Sequence, residues 1–118
     1  MESILTSIKN LLGIVEEQKD FDIQIIIHIN SVLAFLTQIG VGPVEGFSIQ
    51  DDSAAWTDFI PEGGQKLEAI KSYIYMKVRL MFDPPTSSAL IENMNKLISE
   101  LEWRISVSVD PPPATTTT

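Results

Sequence analysis

One histidine and no cysteine stand among the 118 residues of this chain, which leaves few side chains able to perform chemistry. His28 lies at the margin of an apolar helical stripe, where an imidazole is more often a partly buried, hydrogen-bonded residue than a base or a ligand. The missing cysteines exclude a thiolate metal site and a disulfide framework. The carboxylates include two adjacent pairs, Glu16-Glu17 and Asp51-Asp52. Adjacent carboxylates on a helix or loop usually just face solvent, whereas a catalytic acid and base must converge on one cleft. Neither pair has the alternating oxygen-ligand spacing of a calcium loop. The stretch "GPVEGF" is too poor in glycine and too acidic to cradle a phosphate, and no P-loop or dinucleotide pattern occurs. These residue types predict no enzyme, no cofactor and no bound metal.

The elements that carry these residues belong to one domain's length of sequence. A chain of this size buries roughly two-thirds of its unfolded surface, enough for a single modest core. Its 44% hydrophobic and 20% charged residues are those of an ordinary globular protein. Sixteen acidic against eight basic residues give a net charge of −8, which opposes nucleic-acid binding through phosphates. Four of the eight cations, Lys66, Lys71, Lys77 and Arg79, fall close together and could form a local basic patch. The opening "MESILTSIKNLLG" lacks the basic segment and apolar run of a signal peptide. The longest apolar tract, "IIIHINSVLAFL", is broken by His28, Asn30 and Ser31 and is shorter than the roughly 20 residues of a membrane span. We therefore expect no membrane partner.

Four helical segments are predicted. The first runs from Ser3 to Leu12 with Ile4 and Ile8 in its stripe, and Gly13 closes it in a left-handed cap. The second runs from Asp20 to Ile39, started by Asp20 or Asp22. Phe21, Ile25, Ile29, Val32, Leu33, Leu36 and Ile39 share one face of it. "IQIIIHI" is rich in β-branched residues and would suit a strand, but the length of the pattern favours a helix. Residues 40–52, "GVGPVEGFSIQDD", form a long loop of the kind that often carries function. A short amphipathic turn, "SAAWTDFI", follows. The third long helix spans Gln65 to Phe82 and stops because the residue before Pro84 is disfavoured in the α region. The fourth spans Ser87 to Ile105, capped by Thr86, Ser87 or Ser88. Between them, Asp83, Pro84 and Pro85 make a short, stiff corner. The ending "SVSVDPPPATTTT" changes character, and its prolines favour an extended conformation. The predicted fold is all-α: a small bundle of about four helices plus a short one, with a long loop, an extended tail over 106–118 and a helical domain over 1–105.

Two faces call for partners. The helix over 65–82 has Leu67, Ile70, Ile74, Val78 and Met81 on one side and Ala69, Tyr73, Met76 and Leu80 on the other. It is either the centre of the bundle or shared between subunits. In the last helix, Leu90, Ile91, Met94, Leu97, Ile98, Leu101 and Ile105 form the apolar stripe. Glu92, Lys96, Glu100 and Arg104 run along the opposite side at helical spacing. Trp103 points almost directly away from the stripe. An indole there is either exposed apolar surface or an anchor for another chain.

The segments "FDIQIIIHINSVLAFLTQIGVGP", "AAWTDFI", "LEAIKSYIYMKVRLMFDPPTSSALIENM" and "ISELEWRISV" follow in this order. Together they resemble the small head–tail connector, or adaptor, proteins of long-tailed bacteriophages, over roughly Ser3 to Asp110. "KVRLMFDPP" with its following Thr-Ser-Ser, and "LEWR", are the most distinctive pieces. The resemblance implies an α-helical protein of the virion neck, assembled in the cytoplasm of a bacterial host as a ring of about twelve identical copies. It implies a portal protein on one side, a stopper or tail-completion protein on the other, and DNA passing through the lumen without sequence recognition.

On that basis the subunit interface is assigned to Tyr73, Met76, Leu80 and Trp103. The angle between the two long C-terminal helices is assigned to Asp83, Pro84 and Pro85. Portal docking falls to Ile105, Val107, Val109, Asp110, Pro111, Pro112 and Pro113. The loop residues Glu45, Phe47, Asp51 and Asp52 are assigned to the lumen or the next ring. A reading from another class, a small intracellular regulator or scaffold acting as a helical dimer, explains the acidic bundle equally well but not the tail.

Overall fold

The computed structural model describes the backbone of residues 2–109 and the side chains up to Val107. Five helices follow one another: α1 (Ile4–Leu11), α2 (Asp22–Gln38), α3 (Trp56–Phe59), α4 (Gly64–Phe82) and α5 (Ser88–Val109). Among the described residues no strand forms. Ser3 and Ala55 pair antiparallel as an isolated bridge, in which the amide of Ile4 donates to the Ala54 carbonyl at 3.0 Å and that of Trp56 to the Glu2 carbonyl at 3.2 Å. The strand-like run "IQIIIHI" is helical. Its Ile25 and Ile29 are buried in the core on one face of the helix, so tertiary burial overrides a weak local preference.

α4 lies at the centre, packed against α2 on one side and α5 on the other. That position explains its two apolar faces. Leu67, Ile70, Tyr73, Ile74 and Val78 of α4 are all buried, together with Ile25, Ile29, Val32, Leu33 and Leu36 of α2. α1 adds Ile4, Leu5 and Ile8, while Trp56, Phe59 and Ile60 close the core from the α3 side. The Trp56 indole N–H donates to Ser7 Oγ at 3.0 Å, which satisfies its one polar group inside the core.

Helix ends follow the expected chemistry at α1 and α5. Ser3 Oγ accepts from the Thr6 amide, Gly13 adopts a positive φ of 84° just beyond α1, and Ser87 Oγ accepts from the Leu90 amide. Two expectations are corrected. The start of α2 has no side-chain cap; Phe21 occupies that position, and Asp22 turns to Lys9 at 2.8 Å instead. α5 continues past Ile105 to Val109, so the predicted extended tail does not begin at 106. "SVSV" contains nothing that breaks a helix, and the barrier comes with Pro111, which restricts the residue before it. Residues 110–118 lie outside the described residues.

Two polar side chains hold the long connections. Lys9 is only 2% exposed; its ammonium donates to the carbonyls of Glu16 at 3.0 Å and Gln18 at 2.6 Å besides pairing with Asp22. The segment between α1 and α2 is thus wrapped around one buried charge. Asn30, on α2, clamps the loop after it: its amide donates to the Ile49 carbonyl at 2.9 Å and its carbonyl accepts from the Ile49 amide at 2.8 Å. At the other end of this loop, Gly42 has φ +84°, and a Cβ there would come 2.4 Å from Phe59 Cε1.

Tyr73 donates its hydroxyl to Glu102 Oε2 at 2.8 Å, tying α4 to α5. Burial, and then the neighbouring Glu102, push its phenol above the ordinary tyrosine value. The folded state therefore keeps a neutral phenol where the unfolded chain begins to ionise. Its stabilising effect is intact below about pH 10 and is lost as pH rises beyond that.

Three outcomes are expected from urea unfolding. Lys9→Ala strands an acidic side chain and two carbonyls and costs about 3 kcal/mol. Asn30→Ala costs about 2 kcal/mol and raises hydrogen exchange at Ile49 well before the helices exchange. Tyr73→Phe costs about 1 kcal/mol near neutrality, and this gap from the wild type narrows above about pH 10 because the phenylalanine variant has no phenol to ionise in its unfolded state.

Candidate functional site

Among the described residues, no three His, Cys, Asp or Glu side chains gather closely enough to hold a metal ion. His28 is half-buried with its ring edge-on to Phe82. The clefts are shallow. One is lined by Glu2, Ser7, Asn10, Leu11, Lys71 and Tyr75, and its lysine is already engaged: the ammonium lies 2.7 Å from Glu2 and 3.5 Å from Glu68, 5.5 Å from the centroid of Trp56. The Glu2 hydrogen bond holds Lys71 above its usual range, and Lys71 in turn holds Glu2 below the usual carboxylate range. A lysine with a raised pKa is a structural cation and a poor base.

Three of the four cations foreseen as a basic patch around residues 66–79 are engaged within the chain. Besides Lys71, Lys66 lies 4.0 Å from Glu62, and Arg79 donates to the Asp83 carbonyl at 2.9 Å and the Tyr75 hydroxyl at 3.2 Å. The surface is otherwise acidic, and no helix among the described residues is long and apolar enough to cross a membrane.

What the surface does offer is uncovered apolar area. Trp103 is 66% exposed, as its place opposite the α5 stripe requires. On the same helix Leu90 and Leu97 are half exposed, although both belong to the predicted stripe, because α4 covers the α5 stripe only in part: Ile98 and Ile105 are buried, while Leu101 is half-buried. On α2, Ile23 is 75% and Ile27 59% exposed, and Phe35 is partly so.

The predicted site residues divide accordingly. Met76 and Leu80 are half-buried against the core and retain some surface beside Trp103's helix. Tyr73 does not: it is fully buried in its own chain, covered by Phe35 at 6.3 Å and bonded to Glu102, so it is corrected from interface residue to core residue. Ile105 is likewise corrected from the docking segment to the core, at 3% exposure, because α5 carries its stripe through that position. Val107 is half-buried and lines a cleft with Gln38, Ile39, Gly40, Trp103 and Ser106. Val109 ends α5, and Asp110, Pro111, Pro112 and Pro113 lie outside the described residues.

At the corner, the Asp83 amide donates to the Arg79 carbonyl at 2.9 Å while Arg79 Nε donates back to the Asp83 carbonyl, closing α4 before Pro84 and Pro85 turn the chain. In the long loop, Glu45, Asp51 and Asp52 are exposed. The Ser53 hydroxyl, then its amide, hold the Asp51 carboxyl below the usual range. Phe47 differs from expectation: its ring turns inward against Phe59 at 5.2 Å, because the loop needs an apolar anchor between its two ends.

Sequence reasoning missed the outer face of α2. Its signal was present: between Ile23 and Gln38 there is no Asp, Glu, Lys or Arg, although half of that helix faces outward. An exposed helical face without charge is unusual on a soluble surface. Lys9 and Asn30 were missed as well, and nothing in their local sequence distinguishes them from solvated polar residues.

Searches of curated proteins and of solved structures returned no significant match. A family profile described as phage connector protein matches residues 4–112, which includes all five helices and the DPP corner. The match spans the helical bundle described above: the chain belongs to the phage connector protein family.

Proposed function

We propose that this chain is a structural head–tail connector of the virion neck, acting without catalysis as a closed ring of about twelve copies. In this reading the ring sits between the portal and a stopper or tail-completion protein, and the genome slides through its lumen. The family match over residues 4–112 carries the proposal, and the uncovered Trp103 is what a subunit anchor requires. Heterologous contacts close into a ring when their rotation is right, and each copy then needs two different adhesive faces. Met76, Leu80 and Trp103 contribute to such contacts.

The portal contact falls to Val107, Val109 and the proline-rich segment from Asp110 to Pro113, which follows α5 in sequence. Glu45, Asp51 and Asp52 suit a lumen or the neighbouring ring, since an acidic wall repels phosphate and lets a duplex slide rather than grip it. Assembly takes place in the cytoplasm of the bacterial host, where the unpaired faces meet identical copies.

Mass photometry of the chain alone and mixed with the portal protein tests this reading. A large closed oligomer, or one formed on the portal and lost when residues 110–118 are removed, is expected; a stable dimer indifferent to the portal overturns it. Replacing Pro84 and Pro85 by alanine should lower ring yield several-fold while the helical circular dichroism of the monomer stays within about a tenth of wild type. Equal loss of helicity and ring would make the corner a folding element only. Trp103→Ser should likewise reduce assembly with little change in urea midpoint, because an exposed indole contributes little to the isolated fold.

A further inference from the structure

Each copy carries a net charge of −8, so copies brought together repel unless they meet where neither presents charge. The described surface offers two helical faces of that kind. The first is the outer side of α2, with Ile23, Ile27, Ala34 and Phe35 exposed and no Asp, Glu, Lys or Arg from Ile23 to Gln38. The second is one flank of α5, where Leu90, Asn93 and Leu97 are exposed in succession at helical spacing. This flank ends at Glu100 and Arg104, which neutralise each other at 2.8 Å.

The two faces match in spacing. Ile27 and Ala34 are seven positions apart, as are Leu90 and Leu97, so each ridge repeats at about 10 Å along its helix. They also lie on different helices flanking α4, which packs against both. A pair of unlike, mutually apolar faces on either side of one central helix is the arrangement from which head-to-tail contacts are built.

We infer that the uncharged outer face of α2 in one copy packs against the Leu90–Leu97 flank of α5 in the next, forming the repeating subunit contact. This rests on the ring reading above and specifies its interface. The occupant of the α2 face is a second copy of this chain, presenting a different surface from the one it covers.

Because the chain has no cysteine of its own, thiol pairs report this contact directly. Ile27→Cys and Leu97→Cys variants, mixed with a short bismaleimide under conditions where the wild type forms the closed oligomer, should give a crosslinked pair joining positions 27 and 97. Chains carrying both changes should give a ladder extending beyond the dimer. Crosslinking of the Ile27→Cys variant to itself at equal yield would mean a two-fold contact between α2 helices and would overturn the inference. Absence of any 27–97 product while the wild type still closes its oligomer would overturn it too and leave the ring reading standing. If the wild type forms no closed oligomer even with the portal protein, the ring reading fails and this contact fails with it. A charge test runs in parallel: Ile27→Asp and Leu97→Asp together oppose like charges and should lower oligomer yield about tenfold or more, whereas Ile27→Lys with Leu97→Asp should restore most of it. Equal loss in both double variants, with unchanged circular dichroism, would count against the pairing.

Discussion

α4 needs two neighbours, and that need organises the molecule. A helix apolar on opposite sides cannot sit at a surface, so α2 and α5 are drawn to its two faces and become the outer layer. Each of them then has one side against α4 and one side facing out. α1 and α3 close the core at its edge through Ile4, Leu5, Ile8, Trp56 and Phe59. α2 has Ile23 and Ile27 facing away from α4, and α5 has Trp103 on its far side with Leu90 and Leu97 on its flank. The interior is satisfied by one chain, while the exterior keeps apolar helix surface uncovered.

Much of this architecture is legible in residue order. The helix spacing, Gly13 beyond α1, Ser87 before α5 and the prolines at the corner each leave a local trace that physical chemistry can read, and the ends of α1, α4 and the start of α5 fall within about two residues of expectation. The end of α5 does not, because Ile105 closes an apolar stripe and was mistaken for the end of a helix, when the true constraint was the proline that follows Asp110. A helix outlives its stripe wherever nothing stops it.

The site was legible in part. Trp103 is identifiable from its angular position alone, since an indole opposite a stripe must face out. Tyr73 is not, because on α4 the second apolar face can be read equally as interior or as subunit contact, and only the placement of α5 and Glu102 decides. Phe47 follows the same logic: a phenylalanine in a long loop reads as an exposed contact until Phe59 is seen beneath it. Lys9 was unreadable for a different reason. A buried ammonium is held by backbone carbonyls from a segment seven to nine positions away, and backbone carbonyls carry no sequence signature at all. Asn30 is the same case, bonded to the backbone of Ile49 rather than to any particular side chain.

The clamps and the corner bear on assembly through a common argument. In the proposed ring an angular error at one subunit contact would accumulate around the circle, so the elements carrying the two proposed contact faces would have to hold their relative orientation. α2 and α5 both pack on α4, and three devices stiffen that path: Lys9 fixes the entry to α2, the Tyr73–Glu102 bond ties α4 to α5, and Arg79 with Asp83 and the two prolines defines the turn between them. None of these groups needs to touch a neighbouring copy. Their effect on assembly would come through geometry, along the route from one uncovered face to the other.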